Sequence, residues 1–458
     1  MIDLDNDADQ SASSLATSQI GYGCDEKDDQ FLIFREFVKK IITIESINAK
    51  GAVVSLAALM SLPLSGILII ATTINITSIE SSMALAASLT AAISLVTLTL
   101  RYCNFQSQIA VTYLLFIYLT HSLINTNLLV QFFIIYEFFL LPSAVLVWFF
   151  SPNKRGVKTT VFFLLWTQFG SILILIATSY IVEILNSLEF YKENFGKTIP
   201  IIYQMMIIFG FLIKIPIFPF YFWLTKTHVE AVTSFSIFLS GFLVKIALFG
   251  LYKYTVFLNK IILTLSFIMS LISASTTSML FLHQVDLKKT IAYATVQEMS
   301  QLAMCTSVYW TEKVWLVAIF LVTHTLLSAK YFLINDIVYR IYRTRSILLI
   351  QGLGISSPKL SIVLVSTLAL FRGLPFTIKN TVEVSLMSLL SSINGKLTAI
   401  WASLVIFTGN VTFSYIFLKT TNFSPQKLLQ HLDIGRDAIT LLSFIVLLMV
   451  YLQQSIIN

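Results

Sequence analysis

The chain has 458 residues, 57% of them apolar and only 12% charged, and its mean hydropathy is +0.84. A soluble domain carries roughly 25% charged residues, so half that density over this length leaves too few charges to face water and points to the bilayer as solvent. The net charge of +7 is not a nucleic-acid footprint: residues 1–30 hold eight acids and one base, the remainder 15 acids and 29 bases, and those bases sit mostly in short connecting segments.

Residues 1–30, rich in Ser, Asp and Gln, read as a polar acidic extension. They have neither the basic-then-apolar order of a secretory signal nor the Arg-rich, acid-poor character of a transit peptide. Residues 31–47 (FLIFREFVKKIITIESI) mix apolar and charged positions, as in an amphipathic interfacial helix, with a degenerate span as the alternative. Residues 1–50 are thus expected to form an extension and 51–458 an all-α transmembrane domain. Apolar runs long enough to cross about 30 Å of hydrocarbon fall near 52–76, 83–100, 109–125, 127–150, 157–186, 200–224, 232–255, 258–282, 289–308, 314–338, 359–393, 397–419 and 437–456, about thirteen spans in all. Arg101, then Lys154, Arg155 and Lys158, then Lys288 and Lys289, then Arg340, Arg343 and Arg345 all follow even-numbered spans. They share one face, which the positive-inside rule assigns, with the N-terminus, to the matrix or cytoplasm.

Two spans are interrupted. One is FGFLIKIPIFPFYFWL at 209–224, with Pro216 and Pro219 just after Lys214; the other is LALFRGLPFTIKNTVEV at 368–384, with Gly373 and Pro375 before Glu383. Paired broken helices in two halves of a chain mark the ion site of a repeat-built transporter, because irregular backbone survives at membrane depth only in protein or beside water. The plainer reading is two proline kinks.

The charges beside these breaks decide between the two. Glu137, Lys214, Lys245, Glu298, His324, Lys330 and Glu383 all lie well inside their spans. A charge at the bilayer centre costs roughly 2.5–3.5 kcal/mol even on the lenient insertion scale. Ten residues of helix cover about 15 Å, too far for a glutamate to snorkel. A single such residue is readily explained as a salt bridge locking two helices. Seven are not, since buried ion pairs rarely stabilise more than apolar packing would. Burial lowers the pKa of a lysine and raises that of a glutamate, bringing both toward neutrality, while a nearby opposite charge reverses the shift. Glu137 close to Lys214 would therefore hold a proton there, and its withdrawal would release the proton toward Lys245 or water. His324, titrating near neutral pH, would bridge to Glu383. His121 and His283 lie near span ends and read as structural; Glu183 and Asp336 read as interfacial.

The three cysteines, Cys24, Cys103 and Cys305, form no CxxC, Fe–S or zinc spacing, and Gly352-Leu-Gly354 follows no strand. No cofactor, metal or redox centre is expected in this chain.

Several of these stretches resemble a known family. Tyr136-Glu137-Phe138 with Leu141-Pro142, Ile213-Lys214-Ile215-Pro216 followed by Trp223-Leu224 and Lys226-Thr227-His228-Val229-Glu230-Ala231, Leu243-Val244-Lys245 with Phe249-Gly250-Leu251-Tyr252, Asp286-Leu287-Lys288-Lys289 with Ile291-Ala292-Tyr293, and His324 with Tyr339-Arg340 are similar to motifs of the antiporter-like membrane subunits of respiratory complex I, relatives of Mrp-type sodium/proton antiporters. The resemblance covers roughly 125–420. It implies a multi-pass mitochondrial inner-membrane protein (a bacterial plasma membrane is the alternative) that translocates protons within NADH:quinone oxidoreductase. Its partners would be the neighbouring membrane-arm subunits and lipid. The resemblance makes Glu137 and Lys214 the interacting ion pair, Lys245 and His324 relay positions, and Glu383 the terminal group. A terminal Glu favours the subunit 4 branch over its sisters. Departures are Val232 for Pro, Ala294 for Ser, Val382 for the Gly before Glu383, and Glu298 where the family carries a His. Lys330 is an added charge near His324 and a candidate partner for Glu298; it and His228 are secondary candidates. A stand-alone Mrp-type cation/proton antiporter subunit is the alternative function, and a purely structural scaffold the third.

Overall fold

The computed structural model describes residues 78–99, 106–151, 155–185, 189–190, 199–308, 314–347, 349–350, 358–371, 379–380 and 383–385. The extension at 1–50, the spans expected near 52–76, 397–419 and 437–456, and the interruption at 372–375 lie outside the described residues.

Among the described residues the chain forms helical segments and no strand. In chain order these are α1 (Ile79–Thr99), α2 (Gln106–Ile124), α3 (Leu129–Phe150), α4 (Gly156–Leu185), α5 (Ile201–Lys214), α6 (Phe222–Glu230), α7 (Thr233–Phe257), α8 (Lys260–Leu282), α9 (Leu287–Val308), α10 (Val314–Tyr342) and α11 (Pro358–Phe371). Five of them are long and apolar enough to cross a membrane. The starts and ends follow the apolar runs of the sequence, except that the expected single span 200–224 is two helices separated by residues 215–221.

The burial pattern is inside out relative to a soluble protein. The apolar windows of α7 and α10 are 94% buried, whereas those of α3, α4 and α8 are 39–44% buried. The outer helices expose hydrocarbon instead: Val161, Leu165, Phe169, Ile172 and Ile176 recur at three- and four-residue spacing along α4. The buried Ser and Thr hydroxyls mostly donate to a carbonyl three or four residues back, as Thr90, Thr167 and Thr277 do, so they need no water.

Both ends of α7 are pinned. At its start Thr233 donates to Asp336 of α10 at 2.9 Å, and the Lys288 ammonium and the Arg345 guanidinium donate to the carbonyls of Ala231 and Val229. The start of α9, which carries Lys288, and the segment carrying Arg345 run side by side, joined by Leu287 N–H to Arg345 C=O at 2.9 Å and Ile347 N–H to Val285 C=O at 2.8 Å. The basic stretches at 283–289 and 343–347 thus meet on one end of the bundle. At the other end the Lys253 ammonium donates to Thr126 C=O at 2.6 Å.

Helices α4 and α5 approach backbone to backbone. A Cβ on Gly210 would stand 2.8 Å from the Gly170 carbonyl oxygen, and a Cβ on Gly170 equally close to that of Gly210. Small residues let transmembrane helices meet at this range. This crossing holds α5, and so Lys214 at its end, against the bundle. Gly210→Val should therefore destabilise the protein by about 1–3 kcal/mol through overpacking; thermal denaturation of the purified wild type and variant tests this, and an unchanged midpoint would contradict it.

Candidate functional site

Lys214 is the last residue of α5, thirteen residues from the helix start and so about 20 Å along the axis, which places it deep in the bundle. Its Nζ lies 2.6 Å from Glu137 Oε1 on α3 and 4.0 Å from the centroid of the Tyr136 ring. The helix stops here because Pro216 has no N–H to give. Two carbonyls are left without their usual donors, and both find others: Leu212 C=O accepts from Ile217 N–H at 3.0 Å, and Ile213 C=O from the Trp223 indole at 2.8 Å. The indole thereby bridges the break and fixes where Lys214 emerges. Beside the pair is a cavity of about 60 Å³ lined by Tyr136, Ser143, Thr167, Lys214 and Trp223 together with apolar residues of α3, α4 and α7. At roughly 10–15 Å³ of such volume per water, it has room for about four.

Lys245 sits at the midpoint of α7, twelve residues from either end. Immediately before it the helix widens into a π-turn, Leu239–Leu243, in which Val244 N–H reaches back to Leu239 C=O. Widening disturbs the regular carbonyl-to-amide ladder, and the Lys245 ammonium uses the resulting acceptors, donating to Gly241 C=O at 2.6 Å with Ser240 C=O at 3.5 Å. The turn bulges against α1, where a Cβ on Gly241 would meet Thr90 at 2.2 Å. Single π-turns inside α-helices concentrate at functional sites.

A second cluster of charges lies beyond Lys245. Lys379 pairs with Glu298 of α9, and its Nζ lies 3.5 Å from Glu383 Oε1; all three side chains are buried. Glu298 acts electrostatically on Lys245, and both Lys245 and Lys379 act on His324 of α10. The structure therefore brings Lys379, Glu298 and Glu383 together, with Lys245 and His324 within electrostatic reach of this row.

One expectation needs correction. The partner of Glu298 is Lys379 and not Lys330. Lys330, on α10, is fully buried, and its Nζ meets no hydrogen-bond partner. Asp336, expected to be interfacial, lies where α7 begins, buried between helices, paired with Arg340 at 2.9 Å and bonded by Thr233. His228 is buried with its ring stacked on Phe332 at 5.0 Å between centroids, and neither ring nitrogen has a hydrogen-bond partner. His121 and His283 are exposed. Lys379 was the functional candidate missed by reading the sequence, although its signal was present: four residues before Glu383, it is at the spacing at which opposite charges meet on a helix. Among the described residues no group of three His, Cys, Asp or Glu lies together as metal ligands would.

The family profile described as "NADH:quinone oxidoreductase/Mrp antiporter, TM" matches residues 126–414. NADH-ubiquinone oxidoreductase chain 4 of Paramecium tetraurelia is 34% identical over 317 residues, covering 68% of this chain and 66% of that one. The chain spans between about half and two thirds of the length of the curated relatives it matches. Among solved structures, a chain of the membrane-bound sulfane sulfur reductase, an archaeal respiratory membrane complex, superposes with a TM-score of 0.79 at 16% identity over 92% of both chains. A chain of respiratory complex I from Thermus thermophilus gives 0.72 at 17% identity over 82% of this chain and 80% of its own. At these identities the structural likeness establishes the fold alone.

The ion pair makes its own prediction. Glu137→Gln leaves a largely buried ammonium without its counter-charge and should cost about 3 kcal/mol, whereas Glu137→Gln with Lys214→Met should recover much of that loss. Denaturation midpoints of the two variants test the coupling, and equal destabilisation by both would show that the pair contributes nothing.

Proposed function

Because the chain belongs to the NADH:quinone oxidoreductase/Mrp antiporter transmembrane family, we propose that it is a proton-translocating membrane subunit of an NADH:quinone oxidoreductase, handing protons through its interior while the redox chemistry takes place in other subunits. The observation that carries this reading is the Glu137–Lys214 ion pair at a helix break beside a cavity that water can fill.

The physics is that of a switch. With Glu137 2.6 Å away, the Lys214 ammonium is stabilised and the proton stays. Drawing the carboxylate back removes that attraction inside a low-dielectric interior, where each ångström counts for more than in water, and the amine gives its proton up to the neighbouring water-sized space. Lys245 receives it on the far side of α7, where two backbone carbonyls hold an ammonium without any carboxylate in hydrogen-bond contact. His324 and the carboxylates Glu298 and Glu383 take it onward. Lys245, Glu298, His324 and Glu383 are buried, and Lys214 and Glu137 are largely so, which keeps proton transfer between named groups.

Partners and location follow the same reading: neighbouring membrane-arm subunits of the oxidoreductase, in the mitochondrial inner membrane; the name of the Paramecium relative, NADH-ubiquinone oxidoreductase chain 4, supports membership of such an oxidoreductase. A stand-alone cation/proton antiporter subunit would use the same lysines, and the family description embraces both. The relatives named as oxidoreductase chain 4 favour the first.

Two measurements test this. On native gels of solubilised membranes the chain should migrate in a large assembly with NADH dehydrogenase activity; migration as a small, NADH-inactive complex would favour the antiporter. In vesicles carrying the assembled complex, Lys214→Ala should abolish NADH-driven proton pumping and slow NADH oxidation. Normal pumping by that variant would remove Lys214 from the mechanism.

A further inference from the structure

We infer that Lys379 is itself a proton carrier, relaying protons from Glu298 to Glu383 through its side-chain nitrogen. The inference rests on the proton-translocation reading above and adds to it a residue and a direction of transfer.

The geometry is a carboxylate–ammonium–carboxylate row. Lys379 pairs with Glu298 on one side and reaches Glu383 Oε1 at 3.5 Å on the other, with no more than 5% of any of the three side chains exposed. Once Lys245, which acts on Glu298, has given up its proton, two carboxylates around the remaining ammonium leave one negative charge in excess. Burial resists that excess, and the way to relieve it locally is one proton shared between the two acids. Glu298 has a place for that proton, since its Oε2 is buried without a hydrogen-bond partner. The row is also placed to be loaded from the relay: Glu298 feels Lys245, and His324 feels both Lys245 and Lys379.

The transfer balances without any further reactant. Glu298 begins as the acid and Glu383 as the carboxylate. The Lys379 ammonium breaks one N–H bond in giving a proton to Glu383, and the resulting amine takes the proton of Glu298. The ammonium is restored, Glu298 ends ionised and Glu383 ends protonated, so one proton has crossed from α9 to the Glu383 side. The lysine has a flexible four-carbon stem and three equivalent donors, so closing the 3.5 Å gap needs only side-chain rotation.

An ion pair that merely ties α9 to residues 379–383 would have the same contacts, and the choice of substitution separates the two roles. Arginine keeps the charge and can bridge two carboxylates, but it does not deprotonate in proteins. Lys379→Arg should assemble and keep the Glu298 contact, yet lower the protons pumped per NADH oxidised roughly tenfold or more, the scale of losing a proton-transfer group. Pumping close to the wild type in an assembled Lys379→Arg complex would overturn the inference and leave Lys379 structural. If the guanidinium prevents assembly, the smaller Lys379→Gln, which still donates hydrogen bonds but carries no transferable proton, decides in the same way: lost pumping supports the relay and retained pumping overturns it. Lys214→Ala, measured alongside, keeps the two readings apart. An inactive Lys214→Ala beside an active Lys379→Arg removes only the role of Lys379, and an active Lys214→Ala removes Lys214 from the mechanism whatever Lys379 does.

Discussion

An ammonium group taken out of water into a bundle whose outer surface faces hydrocarbon has to be met by an acceptor, and the interior of this protein is arranged around that requirement. Each solution is different. Lys214 is met by a carboxylate, Lys245 by backbone carbonyls at a π-turn, and Lys379 by two carboxylates. Lys253 donates to the Thr126 carbonyl with the rings of Phe132, Phe190 and Phe249 around it, and Lys288 donates to Ala231. The difference separates roles. Lys253 and Lys288 use fixed carbonyls near the ends of the bundle and fasten loops to helices. Lys214 and Lys379 use carboxylates, which can themselves move or change protonation, and Lys245 uses carbonyls freed by a π-turn.

Backbone irregularity supplies the placement. A straight α5 would carry its carbonyls in a closed ladder and point residue 214 wherever the helical phase dictated. Pro216 ends the helix at Lys214, and the Trp223 indole takes up the exposed Ile213 carbonyl so that the break is not left unsatisfied. The π-turn in α7 does the corresponding work for Lys245. Both sites belong to packed helical segments rather than to loops, and Gly170 and Gly210 let α5 cross close against α4. An electrostatic switch needs this packing, because a pair at 2.6 Å loses most of its effect if either group drifts freely.

Much of this was legible in the sequence, and the exceptions have physical reasons. Apolar runs gave the described spans to within a few residues, because lipid permits little besides helices there. The α5 break was legible through Pro216 and Pro219, and the pairing of Glu137 with Lys214 through the family motifs around them. The π-turn was not, since nothing in LSGFL distinguishes an i-to-i+5 turn from an ordinary one; in the fold it sits where Gly241 packs against Thr90 of α1. The partner of Glu298 was misassigned because Lys330 is nearer in sequence to the relay histidine, while the true contact spans 81 residues.

The central claim is that Lys214 opens onto water inside the protein and not onto dry packing. A map of the assembled complex fine enough to resolve ordered solvent tests it most directly. The account predicts waters filling the roughly 60 Å³ space beside Lys214, one of them within hydrogen-bond reach of its Nζ. That space collapsed or filled by apolar side chains, with no solvent at the amine, would contradict it.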